Sequence, residues 1–292
     1  MNRLKELLRF PFFLRARSEE RALARTVHHE LAVCAIFREE ASFLHEWLSF
    51  HIGIGATHFY LYNNFSTDAF RTVLAPWQER GLVTLHDWPR RVGQLSAYRH
   101  CVRHYRRKAR WIAFLDLDEF LFSPTVTDIR PLLREFTDCP GLNVYGLFFG
   151  SDGHDARPSG PLLDAFTRRA PEKLAVGGKS IANPRMIYAI RSPHVFKYWS
   201  GEALDTLRRP LSDGRADPVF DRLRFNHYWS RSLSDLRAKV RRGDASTHHE
   251  RDLAWHFEFE AQLNEVDDRS ILPLAAKIRR GYGSLAIPAP LS

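Results

Sequence analysis

The stretch that decides the fold is WIAFLDLDEFLF, residues Trp111–Phe122. Its apolar start is typical of a strand buried on both faces, and Asp116 and Asp118 follow directly. Because alternate residues of a strand share a face, we expect the two carboxylates to project together. Adjacent unpaired carboxylates repel each other, and a bound divalent cation would remove that cost. The stretch therefore predicts a Mg²⁺ or Mn²⁺ site at a strand end; the alternative is that the acids cap a helix or pair with arginines.

The sequence before this stretch alternates between strand and helix patterns. Leu31–Phe37 and His58–Tyr62 are apolar runs of strand length, and apolar residues at helical spacing predict helices over about 43–51 and 68–80. This alternation predicts a doubly wound, mostly parallel α/β sheet flanked by helices. Ligands of such sheets bind beyond the carboxyl ends of the strands. The sequence after residue 150 is rich in turn-forming residues, and we expect it to be less regular.

Size and charge restrict the class of protein. The 292 residues are 44% hydrophobic, which is enough for one large domain or two small ones. Lys and Arg number 43 against 34 acidic residues, and the resulting net charge of +9 favours anionic partners. The three cysteines are too few and too scattered for a disulfide framework and indicate a reducing compartment. No apolar run is long enough for a membrane span.

The sequence divides into a basic segment over 1–30, a main domain over 31–250 and a helical or extended tail over 251–292. The basic segment has no small-residue cleavage site, so a secretory signal is not expected and the predicted location is cytoplasmic. Two interpretations of it stay open. It is either a solvated basic helix or a peripheral anchor at the inner, anionic face of a membrane.

Four segments occur in a characteristic order: REEASFLHEWLSFHIGIGATHFYLYNNFSTD over 38–68, DLDEFLF over 116–122, FGSDGH over 149–154 and NHYWSRSLSDLRAKVRRG over 226–243. Together they resemble family 92 glycosyltransferases and their bacterial family-2-like relatives. The resemblance implies the GT-A fold with a DxD metal site, and an irregular carboxyl-terminal part that holds the acceptor. It also implies a metal-dependent, inverting transferase that moves a sugar from a nucleotide-diphosphate donor, such as a UDP-sugar, to a glycan or glycolipid hydroxyl.

The resemblance further implies roles for individual residues. The residues implied to bind the nucleotide are Glu40, Asn64, Asp68, Gln94, Asp116, Lys179 and Arg231. Asp116, Asp118 and His227 would hold Mn²⁺ or Mg²⁺, and Glu119 would position ligands or water. For His227 the alternative is a hydrogen-bonded histidine that packs on its aromatic neighbours.

The catalytic base is the least determined part of the site. An inverting transfer needs a carboxylate or a histidine to take the proton of the acceptor hydroxyl. Asp152 and His154, in the loop after a predicted strand, are the first candidates, and Asp155 and Asp235 are further ones. A turn-forming Asp is the alternative for the loop. Asp235 alternatively favours the amino terminus of a helix.

Two other classes of function stay open at this stage. The net charge and the arginine-rich segment 99–110 suggest a nucleic-acid-binding protein. No zinc-finger spacing or RNA-binding aromatic signature supports that class, and we expect no nucleic-acid partner. A metal-dependent phosphotransferase could also use paired acids, but the sequence has no Walker A loop.

Overall fold

A computed structural model describes residues 27–210, 217–243 and 252–282. The basic segment up to residue 26, for which a membrane contact is one prediction, and the last ten residues of the predicted tail lie outside the described residues. In the ranges that are described, no helix has the length and apolar character needed to cross a membrane.

Ten of the strands form one mixed sheet, and two form a separate hairpin. The strands are β1 (His29–Phe37), β2 (His58–Asn63), β3 (Val83–Asp87), β4 (Ala109–Phe114), β5 (Glu119–Phe122), β6 (Gly141–Phe149), β7 (Arg168–Arg169), β8 (Val176–Ala182), β9 (Ile187–Ser192), β10 (Val195–Tyr198), β11 (Arg224–Tyr228) and β12 (Val266–Asp267). The order in the sheet is β12–β7–β6–β8–β4–β1–β2–β3, and β11 pairs with β5 and β6.

The parallel pairings lie mostly in the amino-terminal half of the sheet. β1 pairs in parallel with β2 and β4, and β2 pairs in parallel with β3. In the other half β11 pairs in parallel with β6, whereas β8 is antiparallel to both β4 and β6. The predicted α/β class is confirmed. The doubly wound arrangement is found in the amino-terminal half of the sheet, for which the strand–helix alternation of the sequence predicted it.

Helices cover both faces of this sheet. They are α1 (Ala41–Gly53), α2 (Phe70–Glu79), α3 (Gln94–Tyr105), α4 (Arg130–Arg134), α5 (Leu162–Ala165), α6 (Leu233–Arg242), α7 (Leu253–Glu260) and α8 (Leu272–Tyr282). On one face, Leu31 and Val33 of β1 belong to the apolar cluster that includes α1 and α2 residues. On the other face, Ala32 and Cys34 belong to the cluster that includes α3. A strand buried on both faces explains why its sequence is continuously apolar.

The segment that the sequence suggested as a tail is joined to the main sheet. β12 pairs with β7, and α8 packs against α1. The approach of α8 to α1 is close at Gly53, where an added Cβ would lie 2.5 Å from Cγ1 of Ile278. The buried carboxylate of Glu260, at the end of α7, accepts hydrogen bonds from the Ser151 amide at 2.9 Å and from the Ser230 hydroxyl. α7 is thereby fixed beside the loop that follows β11.

Candidate active site

A cavity of about 350 Å³ opens at the carboxyl ends of β1 and β4. This volume is in the range of small-molecule sites. The polar side chains in its lining are Arg38, Glu40, Gln94, Asp116, Asp118, Glu119, Lys179, His194, His227, Lys239 and Arg242. The cavity therefore combines carboxylates with several cations at the place where open α/β sheets bind ligands.

The two aspartates lie in a turn and not on one strand face. β4 ends at Phe114, and the amide of Glu119 donates to the carbonyl of Asp116 at 3.1 Å, which reverses the chain into β5. The expected alternation of the strand thus stops before the acids, so Asp116 and Asp118 meet different partners. This corrects the prediction that a shared strand face brings them together.

Asp116 belongs to a buried network with Lys179. The Lys179 Nζ lies 2.6 Å from Asp116 Oδ2 and 3.1 Å from Glu119 Oε2, and Gln94 donates to Asp116 Oδ1 at 2.8 Å. Burial would lower the pKa of Lys179, but the two carboxylates raise it above its usual value. Burial, with the charge of Asp116, raises the pKa of Glu119 to about 7 despite the opposing Lys179. Lys179 thus stays charged on the floor of the cavity.

Asp118 faces a second lysine. The Lys239 Nζ lies 2.6 Å from Asp118 Oδ2, and His227 Nε2 lies 3.4 Å from the same oxygen. Burial would raise the pKa of Asp118, but the charges of Lys239, His227 and Arg231 hold it well below its usual range. Asp118 is therefore an ionised carboxylate in the cavity wall, beside an imidazole.

The donors around His227 fit a divalent cation by type. Asp118 and His227 Nε2 face each other, and His227 Nδ1 lies 3.6 Å from Glu119 Oε1, with neither of these two atoms hydrogen-bonded. A metal-bound histidine usually directs its other nitrogen to a carboxylate, as Nδ1 does here. In the part of the chain that the structure describes, however, no three His, Cys, Asp or Glu side chains are arranged to hold a metal. Lys179 and Lys239 hold the two aspartates, so a cation would have to displace Lys239 from Asp118.

Glu40 is held by two arginines at the edge of the cavity. Arg231 Nη1 lies 2.6 Å from Glu40 Oε2, and Arg242 pairs with the other oxygen. The Arg231 guanidinium also lies 3.6 Å from the ring centroid of Phe43. Arg231 is buried and already contacts Glu40 and Phe43. To bind a nucleotide as predicted, its guanidinium would have to contact the ligand and the Glu40 carboxylate at the same time.

A second cavity of about 160 Å³ adjoins the first. The two have Trp229, Lys239 and Arg242 in common, and Asp235 lines only the smaller one. The Arg157 guanidinium pairs with Asp235 at 2.5 Å. Burial would raise the pKa of Asp235, but the bonds from Arg157 and Ser232 hold it below its usual value.

Asn64 and Asp68, which were predicted to bind nucleotide, brace the chain around the site. Asn64 Nδ2 donates to the carbonyls of Trp88 and Arg90, at 2.8 and 2.9 Å. Asp68 Oδ2 accepts from the amide of Ala41 at 2.8 Å, at the start of α1. Their contacts position loops near the carboxyl ends of the strands, which does not support a direct role in nucleotide binding.

Asp152 and His154, the first candidates for the base, have structural contacts. Asp152 Oδ2 accepts from the amide and the hydroxyl of Thr167, both at 3.1 Å. The carbonyls of His154 and Asp155 accept from the first amides of α6, at 2.9 Å each. Neither Asp152 nor His154 is in the described lining of the two cavities. These contacts support the turn-forming alternative for the loop and not a catalytic role.

Comparison with known proteins assigns this sequence to a family. The profile of glycosyltransferase family 92 matches residues 29–216, which include the cavity floor from β1 to Lys179. The chain belongs to glycosyltransferase family 92. The late segment that carries His227, Lys239 and Arg242 follows the matched region.

Curated proteins that match this family 92 chain include several from plants. A glycosyltransferase family 92 protein of Oryza sativa subsp. japonica is 29% identical over 174 residues, which cover 57% of this chain and 30% of the relative. A galactan β-1,4-galactosyltransferase of Arabidopsis thaliana is 32% identical over 101 residues, covering 31% of this chain and 19% of the relative. The chain thus spans less than a third of the length of these relatives. The crystal structure of S. aureus TarS in complex with UDP-GlcNAc has 10% identity and a TM-score of 0.43, covering 87% of this chain and 73% of that one.

Sequence reasoning missed two cations of this family 92 chain. Lys239 and Arg242 lie three residues apart on α6, so both reach the same side of the helix and line the cavity. Leu233, Leu236 and Val240 recur at helical spacing in the sequence, and the basic residues beside that apolar face were the available signal. Ser232 caps α6 in a capping box with Asp235, which agrees with the helix-terminus alternative given for Asp235.

Proposed function

We propose that this chain is a glycosyltransferase that moves a hexosyl group, with inversion, from a nucleotide-diphosphate sugar, preferably a UDP-sugar, to a hydroxyl of a glycan or glycolipid. The observation that carries the proposal is the cavity in which Lys179, Lys239 and Arg242 lie with acids of the Asp116–Glu119 turn. Two relatives are named galactan β-1,4-galactosyltransferases, which favours a β-linked hexose chain as the acceptor.

The cations give the cavity its chemistry. In the reaction the acceptor oxygen attacks the anomeric carbon, and the bond to the diphosphate oxygen breaks with its electron pair on that oxygen. Carboxylates hold Lys179, Lys239 and Arg242 in the cavity, so these cations lie where they would stabilise the developing negative charge. The proton of the acceptor hydroxyl passes to a carboxylate, for which we propose Asp235 of the adjoining cavity.

Asp118 and His227 would hold a divalent cation, with Asp116 as the further ligand that the resemblance implies. Such a cation would displace Lys239 from Asp118, and it would neutralise diphosphate charge together with the released lysine. Glu119 would then act as a positioning residue, because its Oε1 lies beside His227 Nδ1 and fixes the orientation of the imidazole.

Binding of UDP tests the function directly. We expect UDP with Mn²⁺ to raise the melting temperature of the full chain, since a ligand that binds only the folded state stabilises it. A radiolabelled panel of nucleotide sugars, with transfer or hydrolysis as the readout, would then identify the donor. Stabilisation by an oligonucleotide and not by UDP would favour the nucleic-acid-binding class instead.

Replacing Glu119 with Gln tests its positioning role. The substitution keeps the shape and removes the carboxylate beside His227 Nδ1, so we expect Mn²⁺ affinity to fall by about tenfold, as is typical when such an outer partner is lost. The Mn²⁺ affinity is measured without turnover by titrating the free protein with Mn²⁺ and monitoring the unbound ion by electron paramagnetic resonance. The matched control is Glu46→Gln, another largely buried carboxylate, whose bonds go to the amides of Leu162 and Leu163. Equal Mn²⁺ affinity in the two variants would contradict the assignment.

The three cysteines support a cytoplasmic location as part of this proposal. Cys34, Cys101 and Cys139 are all buried and free. Unpaired thiols are usual in reducing compartments. The predicted contact of the basic amino-terminal segment with an anionic membrane stays a prediction.

A further inference from the structure

An exposed aromatic surface adjoins the larger cavity. Trp255 of α7 has half of its surface exposed, at 50%, and its ring stacks on Phe259 with centroids 5.4 Å apart and planes 8° apart. Trp229, which follows β11, meets both rings edge-on, at 6.4 and 5.6 Å. We name Trp229, Trp255 and Phe259 the aromatic shelf. The spacing of four residues puts Trp255 and Phe259 on one side of α7.

The aromatic shelf is continuous with the wall of the cavity. Trp229 lines both cavities, and its ring lies 5.4 Å from that of His227. Phe148, also in the cavity lining, lies 5.1 Å from Phe259 and 5.1 Å from His227. Ring contacts therefore lead without a gap from His227 to the exposed Trp255.

The shelf rests on a fixed support. His256 is buried and stacks under Trp229 with planes 13° apart. Asp252 caps α7 through the amide of Ala254 at 2.9 Å, and Glu260 ties the end of the helix to Ser151 and Ser230. An aromatic surface that is held from both ends of its helix is pre-formed for a ligand, which lowers the cost of binding.

A charged group lies beside the shelf. The Lys239 Nζ lies over the ring of Trp229, 4.4 Å from its centroid. A ligand that fits must present an apolar face to the rings and hydrogen-bonding groups to Lys239. A pyranose does both, because its axial C–H bonds form one face and its hydroxyls project at the edge. Those C–H groups carry partial positive charge and meet the negative face of an aromatic ring.

We propose that the aromatic shelf is an acceptor subsite that stacks the pyranose rings of a β-linked hexose chain and leads its end toward the cavity. This inference rests on the proposed function and adds where the acceptor lies. Trp255 is the outer contact, and Trp229 lies where the chain reaches the two cavities.

The test measures oligosaccharide binding without turnover. β-1,4-Galactotetraose, cellotetraose and maltotetraose are titrated into the full chain by isothermal calorimetry, and UDP is titrated separately. We expect a β-linked tetraose to bind the wild type, and Trp255→Ala to weaken that binding about fivefold or more with UDP affinity unchanged. Trp255→Phe, which keeps an aromatic ring at this position, should retain most of the tetraose affinity.

The control is Leu253→Ala, on the same helix with a similar exposure of 46% and outside the ring stack. Thermal melting checks that each variant is folded. The proposal would be overturned if the wild type bound none of the three tetraoses. It would also be overturned if Trp255→Ala and Leu253→Ala lost binding equally. A loss in Trp255→Ala of binding to anionic phospholipid vesicles, with tetraose binding intact, would overturn it as well. Failure of UDP to bind the wild type would instead overturn the proposed function, whatever the tetraoses do.

Discussion

Asp118→Asn should lower turnover by about 10²–10³-fold or more while the protein stays folded, an effect typical of losing a preorganised charge in an active site. The substitution preserves the shape of the turn and removes the ionised carboxylate that Lys239 and His227 share. Lys239 then loses the carboxylate that fixes it in the cavity where we propose that the diphosphate leaves. Steady-state transfer assays, with circular dichroism for the fold, measure the effect.

A matched control distinguishes the loss of a carboxylate in the cavity from the loss of a carboxylate elsewhere on the protein. Asp164→Asn removes an exposed carboxylate that pairs with Arg279 at 2.8 Å, outside the described cavity linings. Such surface pairs contribute little, so turnover should be unchanged. Near-wild-type turnover of Asp118→Asn in the presence of Mn²⁺ would show that Asp118 is not part of the site.

The doubly wound half of the fold follows from local sequence. Leu31–Phe37 is apolar at every position, because α1 and α2 cover one face of the strand and α3 covers the other. Strand and helix patterns of this kind are local, so each can be identified without knowing its neighbours in space. The pairing of β12 with β7 brings together residues almost a hundred positions apart, and two-residue strands carry no periodicity to predict them.

The candidate site was only partly predictable for the same reason. The acids after β4 stand out because carboxylates directly after a buried strand are costly unless they are paired. Their partners depend on the turn at Asp116–Glu119 and on the approach of β8 and α6, which bring in Lys179 and Lys239 from 63 and 121 residues away. Spacing along the sequence could not show that Asp152 bonds to Thr167, nor that Asp235 faces a cavity.

Asp235→Asn should lower turnover by about 10²–10⁴-fold, the usual contribution of a general base, with UDP affinity preserved. Asp235 lines the smaller cavity, which adjoins the larger one at Trp229, Lys239 and Arg242, so an acceptor hydroxyl between the two would meet its carboxylate. Asp235 is ionised at neutral pH, as a general base must be, and the bonds from Arg157 and Ser232 that lower its pKa would have to loosen as it accepts the proton. Turnover and UDP affinity are measured side by side.

The helix cap supplies the control for this prediction, because Asp235 also closes the capping box of α6. Ser232→Ala removes the hydroxyl that accepts from the Asp235 amide at 3.2 Å and donates to Asp235 Oδ2 at 2.7 Å, but it leaves the carboxylate itself. It should lower the free energy of unfolding by about 1 kcal/mol and keep most of the turnover. Asp152→Asn should likewise change the melting temperature more than turnover, since its bonds go to Thr167. Equal losses of turnover in Ser232→Ala and Asp235→Asn would assign Asp235 to positioning α6, and a large loss in Asp152→Asn alone would return the base to the loop after β6.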